Sequence, residues 1–322
     1  MKEKAEVKIK LGMKAKMCVE IVRANIPVEI PINNALMRKT VKTLVGVFVG
    51  IRYTPQIFDI LLRNKFIIPR MDFVVTTRCS LRCKYCSNLM PYFKHPKDFD
   101  AEFLKDSIDK LLDVADEINE IRVIGGEAFV YKDLAVVLNF LVSNPRICHV
   151  NVFTNATILP KDRRLIRILQ NRKIRIMISD YGKYSRKLTD FEKLCKREKI
   201  KHIINFIPVW SDAGDFKVRN RKSSELKKQM RRCNTLCHAY VGGVFYYCER
   251  AASATMLNFI PDNEVDSVNI MNDSCDVTDK RERLIHLMYK TPFILCCNYC
   301  DTGTDDEKEI EVAKQIRGPI KI

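Results

Sequence analysis

The sequence predicts an α/β fold, a parallel sheet flanked by helices, with a helical extension before it and a small cysteine-rich α+β module after it. Three observations carry this expectation. From Met71 to about Val209, short apolar segments alternate with amphipathic ones at the spacing of βαβ units. Before that stretch the chain is basic and helical in pattern, and after it the alternation stops and cysteines accumulate. The 322 residues, 47% of them apolar, suffice for one large domain with a smaller module. The expected divisions are residues 1–70, 71–211 and 212–322.

Residues 1–70 hold 14 Lys and Arg against 5 acidic residues. Pro27 and Pro31 interrupt the helical pattern and Pro55 marks a second boundary, because proline has no N–H to give a helix interior. The longest apolar run, Leu44–Ile51, is too short to span a bilayer and reads as a core helix or a surface-docking segment. The extension as a whole is expected to be a lid packing on the next domain, or a docking surface. In that domain the expected strands are Asp72–Thr76, Ile121–Ile124, His149–Phe153, Ile174–Ile178 and His202–Val209. The expected helices are Ala101–Val114 with Asp100 as N-cap, Leu134–Val142, Lys161–Leu169 and Asp190–Lys196. A basic stretch, Lys217–Arg232, carries eight Lys/Arg and one Glu, and a hairpin is expected at Gly242–Gly243.

Thirteen cysteines and a net charge of +17 constrain the chemistry. The residues after Met1 lack the apolar core and small-residue cleavage site of a secretory signal. A reducing, cytoplasmic setting is therefore expected, with the clustered cysteines serving as metal or cluster ligands rather than disulfides. The charge favours an acidic partner: a nucleotide-linked or phosphorylated small molecule, an acidic peptide, nucleic acid or an anionic membrane surface. No Walker A, Gly-x-Gly-x-x-Gly or Gly-x-Ser-x-Gly motif is present, and five scattered histidines form no His-x-x-x-His pair. A histidine metal site or a His-based triad has little support.

Ligands collect beyond the carboxyl ends of parallel strands, so the residues just past each strand carry the functional expectation. The first strand runs into Thr76-Thr77-Arg78-Cys79-Ser80-Leu81-Arg82-Cys83-Lys84-Tyr85-Cys86. Three thiolates on one loop can wrap a face of a cubane cluster and leave its fourth iron open. Zinc prefers four ligands from paired Cys-x2-Cys knuckles, which the x3 spacing does not supply. This Cys-x3-Cys-x2-Cys spacing, with Tyr85 before the last cysteine, resembles the signature of the radical S-adenosylmethionine (SAM) superfamily. The resemblance implies an incomplete (β/α)6 barrel and a [4Fe–4S] cluster on Cys79, Cys83 and Cys86. It implies SAM chelated at the open iron, cleavage of SAM to a 5′-deoxyadenosyl radical, and a reducing donor such as flavodoxin or ferredoxin.

The later strand ends extend the resemblance. Gly125-Gly126-Glu127 is similar to the Gly-Gly-Glu turn that contacts the amino group of SAM in this family. There glycines admit a close backbone approach and a carboxylate complements an ammonium. Thr154-Asn155 and Ser179 resemble further stretches near SAM, although Ser179 and Asp180 are adjacent here, which departs from the family's pattern. Arg186 stands where relatives place an arginine for the SAM carboxylate.

A second group comprises Cys233-x3-Cys237, Gly243-x4-Cys248 and Cys296-Cys297-x2-Cys300. Cys233-x9-Gly243-x4-Cys248 resembles the opening of twitch or SPASM modules, which implies one auxiliary [4Fe–4S] cluster. Six cysteines compete for about four positions, the expected set being Cys233, Cys237, Cys248 and either Cys297 or Cys300, with zinc as the alternative occupant. Cys18, Cys148, Cys195 and Cys275 read as ordinary residues. The expected function is hydrogen abstraction from a small anionic metabolite, nucleotide-sugar or peptide. RNA modification is a second enzymatic reading, and a non-catalytic iron–sulfur or zinc scaffold is the reading from another class.

Overall fold

All six residues of Met71–Thr76 (β2) are buried, as a strand is when both faces of its sheet are covered. The computed structural model of the chain, which describes residues 7–25, 43, 45–47, 49–233 and 238–316, places this strand near the middle of a mostly parallel sheet. Parallel neighbours follow in chain order: Glu117–Gly125 (β3), Ile147–Thr154 (β4), Ile174–Asp180 (β5) and His202–Phe206 (β6). Short Ile67–Ile68 (β1) pairs with the start of β3.

The crossover helices are Ala101–Val114, Leu134–Ser143, Arg163–Leu169 and Leu188–Arg197, each within a few residues of its expected span. Asp100 caps the first, its Oδ1 accepting from Phe103 N at 2.9 Å. Asp162 caps the third by accepting from Arg164 N at 2.8 Å, which starts that helix two residues later than its apolar pattern alone implies.

One expectation is corrected here. His202–Val209 is not one strand: Pro208 has no N–H for a ladder, and beyond it Val209–Asp212 (β7) pairs antiparallel with Lys308–Glu311 (β11) in a separate sheet. The five consecutive parallel strands expected from Met71 onward are present, the last ending at Phe206. A further parallel strand, Ala239–Val241 (β8), lies on the far side of β2. The expected hairpin is present: Gly242 and Gly243 have φ of 58° and 79° and join β8 to Val244–Tyr246 (β9). Ser267–Asn269 (β10) completes that edge.

The described parts of the N-terminal extension pack against the amino-end side of the sheet. Helix Leu11–Ala24 buries Met13, Met17 and Ile21, and Met17 Sδ accepts from Ile67 N at 3.4 Å. Just before helix Thr54–Arg63, Tyr53 Oη meets His149 Nε2 at 2.9 Å. Arg70 pairs with Glu120 at 3.0 Å. These contacts fall at the amino-end halves of β3 and β4, opposite the cysteine loop. Of the described residues of the apolar run, Val47 and Ile51 are exposed while Val49 packs against the core. Among the described residues, no single helix is long and apolar enough to cross a membrane.

Candidate functional site: a cysteine loop facing a cysteine-walled cavity

The three loop cysteines leave β2 at its carboxyl end and pack together with Leu81, Tyr181, Tyr184, Trp210 and Ala313. All three are free thiols. Burial pushes the thiols of Cys79 and Cys83 up to about 12, and their sulfurs stand close enough to Cys86 for like charge to raise them further. Donors already face the sulfurs: Leu81 N lies 3.4 Å from Cys79 Sγ, and Asn155 Nδ2 lies 3.8 Å from it. Gln315 Nε2 donates to Cys83 Sγ at 3.2 Å. Hydrogen bonds of this kind are what ligating thiolates require from their surroundings.

Gly125 and Gly126 are needed for a reason other than the one their motif implied. Gly126 N donates to the Thr76 carbonyl at 3.1 Å and Glu127 N to the Arg78 carbonyl at 2.9 Å, so the end of β3 lies directly under the cysteine loop. A Cβ on Gly125 would run into the Thr76 carbonyl. On Gly126 it would strike the Arg78 carbonyl and stand 2.7 Å from Cys79 Cβ. The glycines admit the loop's own backbone.

Glu127 is likewise engaged within the protein. Its Oε1 accepts from Thr154 Oγ1 at 2.8 Å and Phe129 N at 3.1 Å, and its Oε2 accepts from Asn155 N at 2.8 Å. The carboxyl ties β3 to the end of β4, and Asn155 passes that support to Cys79 and to Ser80 Oγ at 3.2 Å. Burial outweighs these donors and lifts Glu127 from its ordinary 4.5 to about 7. The folded state thus holds this proton more tightly than the unfolded one, so its contribution to stability is full below pH 4.5 and is lost as pH rises to about 7. The metal-free protein is expected to lose Tm across that window. Glu127→Gln, which cannot ionise, should flatten this part of the profile, and an unchanged slope would contradict the assignment.

Ser179, half-buried at the end of β5, hydrogen-bonds Tyr181, and its carbonyl accepts from Ser185 Oγ at 3.0 Å. Arg186 is exposed beyond the Gly182–Tyr184 turn. The Tyr85 ring lies under Lys84 Nζ at 4.9 Å, on the cavity side of the loop.

That cavity, about 560 Å³, runs from Tyr85 and Cys86 to the C-terminal cysteines Cys233, Cys248, Cys296, Cys297 and Cys300. Cys237 lies outside the described residues. Cys296, absent from the expected set, is brought in by Asp266, whose carboxylate accepts from Leu295 N at 2.6 Å and Cys296 N at 2.7 Å. The Cys296 thiol then donates to Cys248, which keeps its own proton bound and favours thiolate on Cys248. Among the described residues, no three His, Cys, Asp or Glu side chains gather tightly enough to hold a single metal ion.

The basic stretch braces this wall. Arg221 donates to the carbonyls of Cys300 and, at 3.2 Å, Cys297, and it pairs with Asp301 at 2.7 Å. Arg219 also pairs with Asp301 at 2.7 Å, and Arg232 pairs with Asp305 at 2.8 Å. These arginines are not a free cationic stripe. Arg221→Ala should lower the stability of the metal-free protein by about 1–3 kcal/mol, the cost of stranding buried acceptors. Exposed Lys228→Ala should change it by less than about 0.5 kcal/mol. Equal melting shifts for the two would remove this role.

Residues 73–214 match the sequence model of the Radical SAM superfamily. This segment resembles a radical SAM domain. The chain is 26% identical over 159 residues to the molybdenum cofactor biosynthesis protein moc-5 of Caenorhabditis elegans, covering 48% of this chain and 24% of that protein. It is 23% identical over 163 residues to a GTP 3′,8-cyclase of Listeria welshimeri, covering 49% of this chain and 47% of the relative. It thus spans less than half the length of either. Among solved structures, BtrN in complex with AdoMet and 2-DOIA aligns with a TM-score of 0.46 at 15% identity, over 77% of this chain and 98% of that one.

The matched segment contains every residue expected from the strand-end motifs, from Cys79 to Arg186. Of these, Glu127, Thr154 and Asn155 meet one another, and Asn155 reaches Cys79. The cavity residues Ser87, Trp210, Glu249 and Arg250 carry no motif and were not expected. The apolar and helical patterns around them offered no signal, because the cavity assembles from five separate stretches of chain.

Proposed function

We propose that this chain is a radical SAM enzyme whose Cys79, Cys83 and Cys86 hold a [4Fe–4S] cluster. We propose further that the C-terminal cysteines hold an auxiliary iron–sulfur cluster across the substrate cavity. The observation that carries the reading is that Cys86 of the loop lines one cavity of about 560 Å³ together with Cys233, Cys248, Cys296, Cys297 and Cys300. Free thiols, half-buried among apolar side chains and met by N–H donors, fit such clusters. When bound and reduced, the first cluster supplies with SAM a 5′-deoxyadenosyl radical able to abstract hydrogen from substrate.

The chain's own residues shape and dry the site. Leu89, Tyr92, Trp210, Phe216 and Ile294 supply apolar lining that keeps water from a reactive centre. Ser87 Oγ donates to Glu249 Oε2 at 3.3 Å, and the Glu249 carboxylate stands close enough to Asp72 for like charge to raise its pKa. Burial holds the Asp72 carboxyl well above its ordinary range, while Arg122 stands 3.1 Å from it. The lining sets Asp212, Asp215, Glu249 and Glu307 against Lys84 and Arg250. That balance shifts the expected substrate from an anion toward a small polar molecule, or a peptide side chain, presenting amine or hydroxyl groups. The charge of +17 therefore lies mainly elsewhere on the surface. The Listeria relative is named for a reaction of GTP, so a nucleotide is the substrate class to test beside these. Arg219, Arg221 and Arg232 are paired within the protein, which weakens the RNA reading.

Anaerobic reconstitution followed by iron and sulfide counting tests the proposal, with about eight irons expected for two cubanes. Dithionite and SAM should then yield 5′-deoxyadenosine. About four irons would remove the auxiliary cluster, and no 5′-deoxyadenosine would leave a non-catalytic scaffold.

A further inference from the structure

The cysteine loop is held from outside by the far end of the chain. Residues 314–316 run antiparallel to 82–84: Lys84 N donates to the Lys314 carbonyl and Ile316 N to the Arg82 carbonyl, each at 2.8 Å. Cys83 and Gln315 face each other as an antiparallel bridge. The Gln315 side chain closes the ladder, its Oε1 accepting from Arg82 N at 2.8 Å and its Nε2 donating to Cys83 Sγ at 3.2 Å. The same Nε2 reaches the Ala313 carbonyl at 2.6 Å, which fixes the amide's orientation. Ala313 is fully buried against Leu81 and Cys83, and β11, just before it, is paired with β7.

Each part of this arrangement has a physical consequence. A loop of eight residues with its own backbone groups unpaired opens easily, and here a short strand pairs them. Gln315 lies outside the segment that matches the superfamily and 232 residues from Cys83, so no motif points to it. Its amide adds what a backbone strand alone cannot, a donor aimed at one cysteine sulfur.

We propose that residues 312–316 are a strap that sets the shape of the Cys79–Cys86 loop, with Gln315 as the positioning residue at Cys83. The proposal rests on the reading that this loop holds a cluster. An N–H donated to a ligating sulfur favours the more negative, reduced form, so Gln315 raises the reduction potential of the bound cluster.

The test uses Gln315→Ala, Gln315→Glu, and a chain ending at Ala313. In the reduced, metal-free protein, each cysteine is alkylated with iodoacetamide and quantified by peptide mass. Compared per thiolate, from the pH dependence of alkylation, Cys83 should react about three- to tenfold faster in Gln315→Ala, the equilibrium weight of one buried hydrogen bond. It should approach the rate of Cys86 in the shortened chain, while Cys195 stays unchanged throughout. In reconstituted protein, the midpoint potential is followed by EPR on the signal that Cys83→Ala eliminates. It should fall in Gln315→Ala and in Gln315→Glu, which keeps an acceptor for Arg82 N but has no donor for sulfur. Unchanged Cys83 alkylation together with an unchanged midpoint would overturn the proposal, even if the shortened chain does not fold. If wild type and Cys83→Ala bind equal iron, the cluster reading fails instead, and alkylation still decides the strap.

Discussion

Cys83→Ala is expected to reduce 5′-deoxyadenosine formation to background and to remove the iron held by the loop, about four atoms per chain. Loss of an outer-shell partner typically weakens a metal site by about 10- to 100-fold, and loss of a ligand should exceed that. Cys83 is the informative choice of the three, being the most buried and packed on Ala313 and Leu81. Its thiol is pushed up to about 12 by burial, so as a bare thiol it is a poor nucleophile and a poor ligand for stray ions. Cys275→Ala, outside both cysteine groups, should leave iron content and turnover unchanged. A Cys83→Ala protein that keeps its iron and its SAM cleavage would remove the loop from the chemistry.

Gly126→Ala should be the most damaging single methyl in the domain. Its Cβ would meet the Arg78 carbonyl and the Cys79 Cβ, backbone and near-backbone atoms that cannot swing aside. Overpacking of this kind costs about 1–3 kcal/mol, and in a chain this long each kcal/mol lowers Tm by roughly 2–4 °C. Because the displaced atoms belong to the cysteine loop, iron uptake should fall together with stability. Gly12→Ala makes a sharp control. No atom lies within 4 Å of the added methyl there. The position is in a helix, so alanine should stabilise by roughly 0.5–1 kcal/mol. Two identical substitutions are thus expected to shift Tm in opposite directions, and a neutral Gly126→Ala would mean that the loop does not need its floor.

Much of the parallel sheet was legible in the sequence because strands covered on both faces show as continuous apolar runs, and Met71–Thr76 is buried throughout. The hairpin at Gly242–Gly243 was equally legible, since positive φ at two successive residues selects glycine. The division at Pro208 was visible as a proline inside an apolar run, but where the freed strand would go was not. Its partner, Lys308–Glu311, lies about a hundred residues later and is itself weakly apolar.

The strand-end motif residues are engaged by the protein itself. Gly125 and Gly126 stand under the loop, and the Glu127 carboxylate is engaged by Thr154, Asn155 and Phe129. A tripeptide cannot show which of its neighbours in space will use its hydrogen-bonding capacity.

The sequence by itself determined the cysteine loop. Cys79, Cys83 and Cys86 lie within eight residues, so their convergence is a local matter of chain geometry. Only the tertiary structure decided which distant cysteines face that loop. Cys296 and Cys297 are neighbours in the chain, and the Asp266 carboxylate that holds the turn between Leu295 and Tyr299 brings Cys296 to Cys248. It also decided that the last described residues lie against Cys83, where Gln315 meets its sulfur. Contacts across more than two hundred residues depend on the whole fold closing, and no local pattern carries that information.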